Sequence, residues 1–262
     1  MSRRYSKETG MKGKAMDERV KKIIDNSSNI VFFGGAGVST ESNIPDFRSE
    51  TGLYNAQKQY GHSPETMISR SFFFSNTEIF YDYYKKNMIY PDAKPNKAHH
   101  ALARLEEEGK LKAVVTQNID GLHQAAGSRK VFELHGSVMR NKCMECGTFY
   151  DLSYILDPAN CTDKKGNQTS IPYCRKCGGI VKPDVVLYEE PLDEECINGA
   201  VDAIRKADTL IVGGTSLVVY PAAGLINYFR GKNIILINKS STQYDSRATL
   251  VIQDAIGEVL GD

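Results

Sequence analysis

The chain has 262 residues, 41% hydrophobic and 25% charged, with 33 Lys and Arg against 32 Asp and Glu for a net charge of +1. That composition excludes a disordered or fibrous chain, suits one large domain alone or with a small one, and gives no electrostatic case for nucleic acid or membrane as partner. Six Cys are too few for a disulfide scaffold, and four form two Cys-x-x-Cys pairs, which points to metal or redox chemistry in a reducing, cytoplasmic compartment.

In chain order, residues 1–22 are polar and basic, without the apolar segment of a signal peptide or anchor, and residues 1–14 read as a loose tail. A β-branched and aromatic run at 29–33 predicts the first strand. Residues 51–95 are aromatic-rich with helical spacing. The next helix, 97–108, puts Ala98, Ala101, Leu102 and Leu105 on one face, with Asn96 to cap its start and Gly109 to end it. Further strands are expected at 112–116, 131–134, 185–187, 209–212, 233–237 and 249–252, and a helix at 194–207 begins after the capping residue Asp193. The most apolar stretch, 209–229, is broken by Gly213, Gly214 and Pro221 and falls short of a membrane span. Continuous apolar runs suit strands buried on both faces, and their alternation with helices predicts an α/β fold with a doubly wound parallel sheet. Residues 51–95 and 141–180 interrupt the alternation and are read as a small helical and metal-binding module. The sheet domain is then discontinuous, from 15–50, 96–140 and 181–262.

Chemistry-bearing residues gather at the ends of these strands. The first runs into Gly34-Gly35-Ala36-Gly37-Val38-Ser39-Thr40, where bare backbone can approach a pyrophosphate, although Thr40 replaces the third glycine of a dehydrogenase fingerprint and a plain tight turn is the alternative. In the following Ile44-Pro45-Asp46-Phe47-Arg48, Arg48 can reach a phosphate and Phe47 can shield a reactive centre; a surface ion pair beside a packing plug is the bland alternative. The strand at 112–116 delivers Gln117, Asn118, Ile119 and Asp120, whose polar groups either hold a ligand or cap a helix. The strand at 131–134 delivers His135-Gly136, a candidate general base, whereas His99, His100 and His123 read as packing or surface residues. Gly214, Thr215 and Ser216 follow one later strand and Asn238 another. Cys143-x-x-Cys146 and Cys174-x-x-Cys177, each followed by Gly, present four thiolates to a tetrahedral Zn²⁺; with the sphere closed, the metal is structural. Cys161 and Cys196 lack partners at ligand spacing.

Taken together and in this order, these segments, with Lys182-Pro183-Asp184-Val185-Val186 and Gly214-Thr215-Ser216-Leu217, resemble a sirtuin of the bacterial, single-core type over residues 15–260. The resemblance implies a Rossmann-like NAD-binding domain with a zinc module, and NAD-dependent deacetylation of acetyl-lysine proteins or peptides that yields nicotinamide and O-acetyl-ADP-ribose. It implies that Gly35, Ala36, Gly37 and Thr40 line the phosphate and ribose site, that Asp46, Phe47 and Arg48 form the cofactor loop, and that Gln117 contacts the nicotinamide ribose. Asn118, Ile119 and Asp120 would line the nicotinamide pocket, Asn118 and His135 being the catalytic pair, with His135 deprotonating a ribose hydroxyl. Gly214, Thr215, Ser216 and Asn238 would hold the adenosine half, with Ala255 and Ile256 over adenine. The substrate peptide would pair with Val185, Val186 and Tyr188 on one side and Leu217 and Val218 on the other.

Two residues depart from the family pattern: Asn43 and Glu189 each stand where Gly is usual. Relatives that favour succinyl or malonyl groups carry Tyr-x-x-Arg where this chain has Tyr81-Asp82-Tyr83-Tyr84, so deacetylation is expected over desuccinylation. The competing readings are mono-ADP-ribosyl transfer or longer-chain deacylation at the same site and, outside catalysis, a zinc-ribbon binding module.

Overall fold

The computed structural model describes residues 16–45 and 57–261. Strands β1 (Ile30–Gly34), β2 (Leu111–Thr116) and β3 (Val131–Glu133) form one half of a six-stranded sheet. Strands β7 (Thr209–Gly213), β8 (Asn233–Ile237) and β9 (Leu250–Ile252) form the other. All pairings are parallel, and the order β3-β2-β1-β7-β8-β9 places the topological switch between β1 and β7.

Every residue of β1 and β7 is buried because helices cover both faces. Side chains alternate along each strand, so Val31 and Phe33 enter one core with Ala200, Val201 and Ile204 of the helix Glu194–Lys206. Ile30 and Phe32 enter the other, against Ala98, Ala101 and Leu102 of the helix Lys97–Glu107 and against the helix Ile256–Leu260. Asn96 caps the helix Lys97–Glu107: its side-chain oxygen accepts from the Ala98 N–H, and the His99 ring accepts from the Asn96 N–H. Its amide also donates to the Val38 carbonyl and to Ser42 Oγ, which ties the helix start to the glycine-rich turn.

A second sheet, ordered β5-β4-β6, is antiparallel and consists of β4 (Gly136–Cys143), β5 (Phe149–Asp151) and β6 (Val181–Val185). This corrects the expected strand at 185–187: the strand lies earlier and outside the parallel sheet. Val181, Pro183 and Val185 point inward while Lys182 and Asp184 point outward, a half-buried alternation that lacks the continuous apolar run of the main sheet. Strand β4 has no counterpart among the expected strands because its inward positions include the polar Ser137 and Asn141. Three helices, Pro64–Met67, Arg70–Ser75 and Thr77–Asn87, pack Phe72, Phe73, Phe80, Tyr81 and Tyr84 against Val138 and Val185 of this sheet. Among the described residues, no helix is long and apolar enough to cross a membrane.

Candidate active site at the strand ends

The switch point is built by close backbone approach. The Gly37 N–H donates to the Gly214 carbonyl at 2.8 Å, and a Cβ on Gly37 would lie 2.7 Å from the Gly214 Cα, so only glycine lets the β1 and β7 turns meet. Beside them, Thr215 Oγ1 accepts from the Gln117 side-chain amide at 3.1 Å and from the Leu217 N–H at 3.2 Å. Ser39 Oγ donates to Asp120 Oδ2 at 2.7 Å and accepts from the Asn118 side-chain amide at 3.0 Å. Asp120 Oδ1 accepts from the Leu122 N–H. Burial raises the Asp120 pKa against the lowering effect of these hydrogen bonds.

His135 follows the end of β3, where the chain leaves the parallel sheet for the antiparallel one. The Leu134 N–H donates to the Thr116 carbonyl and the Val186 N–H to the His135 carbonyl at 3.0 Å, so the backbone here is held from both sheets. His135 Nδ1 lies 3.0 Å from the Gln117 carbonyl oxygen. A carbonyl only accepts, so Nδ1 carries the proton and Nε2 is the basic nitrogen of the neutral ring. Gly136 has φ +73°, and a Cβ there would stand 1.8 Å from the Asp184 carbonyl oxygen.

These groups wall one cavity of about 580 Å³. Gly35, Ala36 and Ser39 line it from the β1 turn, Gln117, Asn118, Ile119 and Asp120 from β2, and His135 from β3. Gly214, Thr215 and Ser216 line it from the β7 turn, and Val185, Val186 and Tyr188 from the segment at the end of β6. Gly37, Thr40, Leu217, Val218, Asn238, Ala255 and Ile256 are not among its walls. Leu217 is buried in the sheet core and Val218 is exposed. The Asn238 amide donates to the Ser240 carbonyl, Ala255 stands at the start of the last helix, and Ile256 packs beside Gly213. Asp46, Phe47 and Arg48 lie outside the described residues.

Further walls of the cavity come from residues away from the ends of the parallel strands. Tyr83, Asn87 and Met88 line it from the helix Thr77–Asn87 and its end, and Val219 and Tyr220 from beyond the β7 turn. Tyr83 and Asn87 are one helical turn apart, the spacing that could have marked them as a shared face. Tyr81 and Tyr84 turn into the aromatic core instead, where the Tyr81 hydroxyl donates to the Val181 carbonyl. Among the described residues, no Lys or Arg lines the cavity.

Both departures from the family pattern adopt left-handed backbone, Asn43 at φ 61° and Glu189 at φ 75°. Such a conformation costs a side-chain-bearing residue such as Glu189 about 1–2 kcal/mol, whereas Asn, with its short polar side chain, adopts it more readily. At Glu189 an offset is visible: its carboxylate accepts from the Ser71 N–H and Oγ, both at 2.8 Å, near the positive end of the helix Arg70–Ser75.

Away from the cavity, the four paired cysteines converge, with all four Sγ atoms within 4.8 Å of one another. Cys143 and Cys177 are 3.4 Å apart and Cys146 and Cys174 3.6 Å. Four sulfurs on a tetrahedral Zn²⁺ at 2.3 Å are separated by about 3.8 Å, so the donor set fits that ion.

Comparison with known proteins agrees with this geometry. A model of the Sir2 family matches residues 35–221. The chain is 66% identical over 250 residues to an NAD-dependent protein deacetylase of Clostridium perfringens, covering 94% of this chain and 98% of that one. It is 63% identical to an NAD-dependent protein deacetylase of Clostridium acetobutylicum, covering 92% and 95%. Among solved structures, a Sir2 chain with a deacetylated p53 peptide and 3'-O-acetyl ADP-ribose superposes with a TM-score of 0.81 at 37% identity, covering 93% and 95%. A Sir2 chain bound to an acetylated peptide gives 0.79 at 34% identity, covering 93% and 94%.

Proposed function

The chain belongs to the Sir2 family, and from that premise we propose how its residues act as an NAD-dependent protein deacetylase releasing nicotinamide and O-acetyl-ADP-ribose. Bound NAD supplies the ribose carbon that accepts the acyl oxygen, and nicotinamide as leaving group. Gly35 and Ala36, with Gly214, Thr215 and Ser216, hold the phosphates and ribose through bare backbone and hydroxyls, and Gly37 lets the two turns that carry them meet. Gln117 orients the nicotinamide ribose, and Asn118, Ile119 and Asp120 receive the nicotinamide. His135 Nε2 takes a proton from a ribose hydroxyl, and the Nδ1–H bond to the Gln117 carbonyl stabilises the imidazolium that results. The observation that carries this reading is the position of His135, whose Nδ1 lies 3.0 Å from the Gln117 carbonyl oxygen and whose ring lines the same cavity as Asn118 and Asp120.

The acetyl-lysine peptide enters between the two sheets and pairs as a strand with Val185, Val186 and Tyr188 on one side and the backbone of Leu217 and Val218 on the other. The discontinuous division expected from sequence assigns NAD to the parallel sheet and the metal to the module of residues 141–180. Cys143, Cys146, Cys174 and Cys177 hold one Zn²⁺ in a closed, structural site. Reduced thiolates of this kind suit a reducing, cytoplasmic compartment.

The acyl preference follows from the lining. No Lys or Arg is among the described lining residues, so an acyl carboxylate finds no lining cation there to pair with, and of the lining carboxylates Glu190 is already paired with Lys182. Mass spectrometry of one peptide carrying acetyl- or succinyl-lysine, with and without NAD, tests this. Acetyl loss that requires NAD and exceeds succinyl loss at least about tenfold is expected, since one unmet ion pair is worth that much or more; equal efficiency on both peptides would refute it.

A further inference from the structure

Strand β4 does not pair evenly with β6. Gly136 faces Val185 and Ser137 faces Asp184, but the next partners are Asn141 and Pro183, so residues 138–140 bulge out of the ladder. Pro183 has no N–H to offer there, and bulges of this kind re-aim a side chain. At the bulge Arg140 Nη1 donates to Glu133 Oε2 at 2.6 Å, and Arg140 Nε donates to Asp184 Oδ2 at 2.8 Å. Glu133 ends β3 with its side chain only 8% exposed, whereas Arg140 is 41% exposed and Asp184 40%.

These contacts close a ring around the base. Glu133 leads through Leu134 to His135, the His135 carbonyl accepts from Val186, Val186 leads back through Val185 to Asp184, and Arg140 joins Asp184 to Glu133. One side of the ring is the exit of the parallel sheet and the other is the strand that leads to the substrate-pairing segment. We propose that Arg140 is a positioning residue for deacetylation, holding the His135 ring in register with the segment Val185–Tyr188 while touching neither NAD nor peptide. This rests on His135 being the base. The exposed Arg140–Asp184 arm adds little to fold stability, whereas a shift of about 1 Å between reacting groups costs about a hundredfold in rate.

The test compares the whole protein with its Arg140→Ala, Arg140→Lys, Asp184→Asn and His135→Ala variants for kcat, for the separate KM values of NAD and acetyl peptide, and for thermal melting. Arg140→Ala is expected to lose at least about tenfold in kcat, beyond the drop in melting that follows from leaving the buried Glu133 carboxylate unpaired, with the KM for NAD within about twofold; Asp184→Asn is expected to lose kcat with melting unchanged. Arg140→Lys is expected to recover only part of the loss, because one ammonium cannot reproduce the guanidinium fork. A kcat for Arg140→Ala within about twofold of the parent overturns the proposal. So does a loss of kcat that only tracks a loss of folded protein and is not relieved by Lys. If Arg140→Ala does not fold, Asp184→Asn, which keeps the Glu133 pair, carries the same comparison. An active His135→Ala variant overturns the base assignment and this proposal together, whereas an inactive one beside a fully active Arg140→Ala overturns this proposal alone.

Discussion

Two histidines that the mechanism does not use set the response of the fold to acid. His99 and His123 are buried with ring centroids 4.8 Å apart, and among the described residues neither ring nitrogen of His123, nor Nε2 of His99, has a hydrogen-bond partner. Burial, reinforced by a neighbouring histidine, pushes His99 down to about 4 and His123 to about 3 from the ordinary 6.5. The unfolded chain therefore binds protons that the folded chain refuses, and stability falls as pH drops below 6.5 towards those lowered values. At pH 5 the loss is roughly 2 kcal/mol per ring. Melting followed from pH 7 to pH 5 should show a steep drop in the parent and a shallower one in His123→Leu; identical slopes would contradict the account. Ser39 makes a related point about legibility. Its place in the glycine-rich turn is plain from sequence, but its bonds to Asp120 and Asn118 depend on how β1 and β2 stand side by side.

At the scale of elements, the parallel strands are readable because burial on both faces leaves an unbroken apolar signature, as in β1 and β7. The antiparallel sheet escapes that signature. Its strands alternate, β6 contains a proline, and β4 spends inward positions on Ser137 and Asn141. The same limit applies to the cavity: polar groups at strand ends announce themselves, while Tyr83 and Asn87 gain their role only from where their helix docks. Beyond the aromatic cluster, the metal-binding part has a very small core, in which Cys143 and Cys174 share burial with Tyr154, Ile155 and Val181. A core of that size does not hold without a staple. Chelation should therefore remove one Zn²⁺ per chain, lower the melting temperature and abolish deacetylation; a metal-free chain with unchanged melting and activity would contradict the structural role.

Across the whole molecule, the proposed mechanism brings NAD chemistry and acetyl-peptide recognition together at the seam between two sheets of different kind, where the cavity lies. The parallel sheet brings bare backbone and amides to its carboxyl edge, the antiparallel sheet leads to the segment proposed to accept the peptide, and His135 stands where the chain passes from one sheet to the other. That placement makes His135 the most direct point of attack on the account. Turnover of an acetyl-lysine peptide by His135→Ala, measured by mass spectrometry beside NAD binding and melting, should fall by at least about a hundredfold with binding and fold intact, since a general base contributes 10²–10⁴ in rate. Turnover close to that of the parent, with O-acetyl-ADP-ribose still formed, would remove His135 from the mechanism.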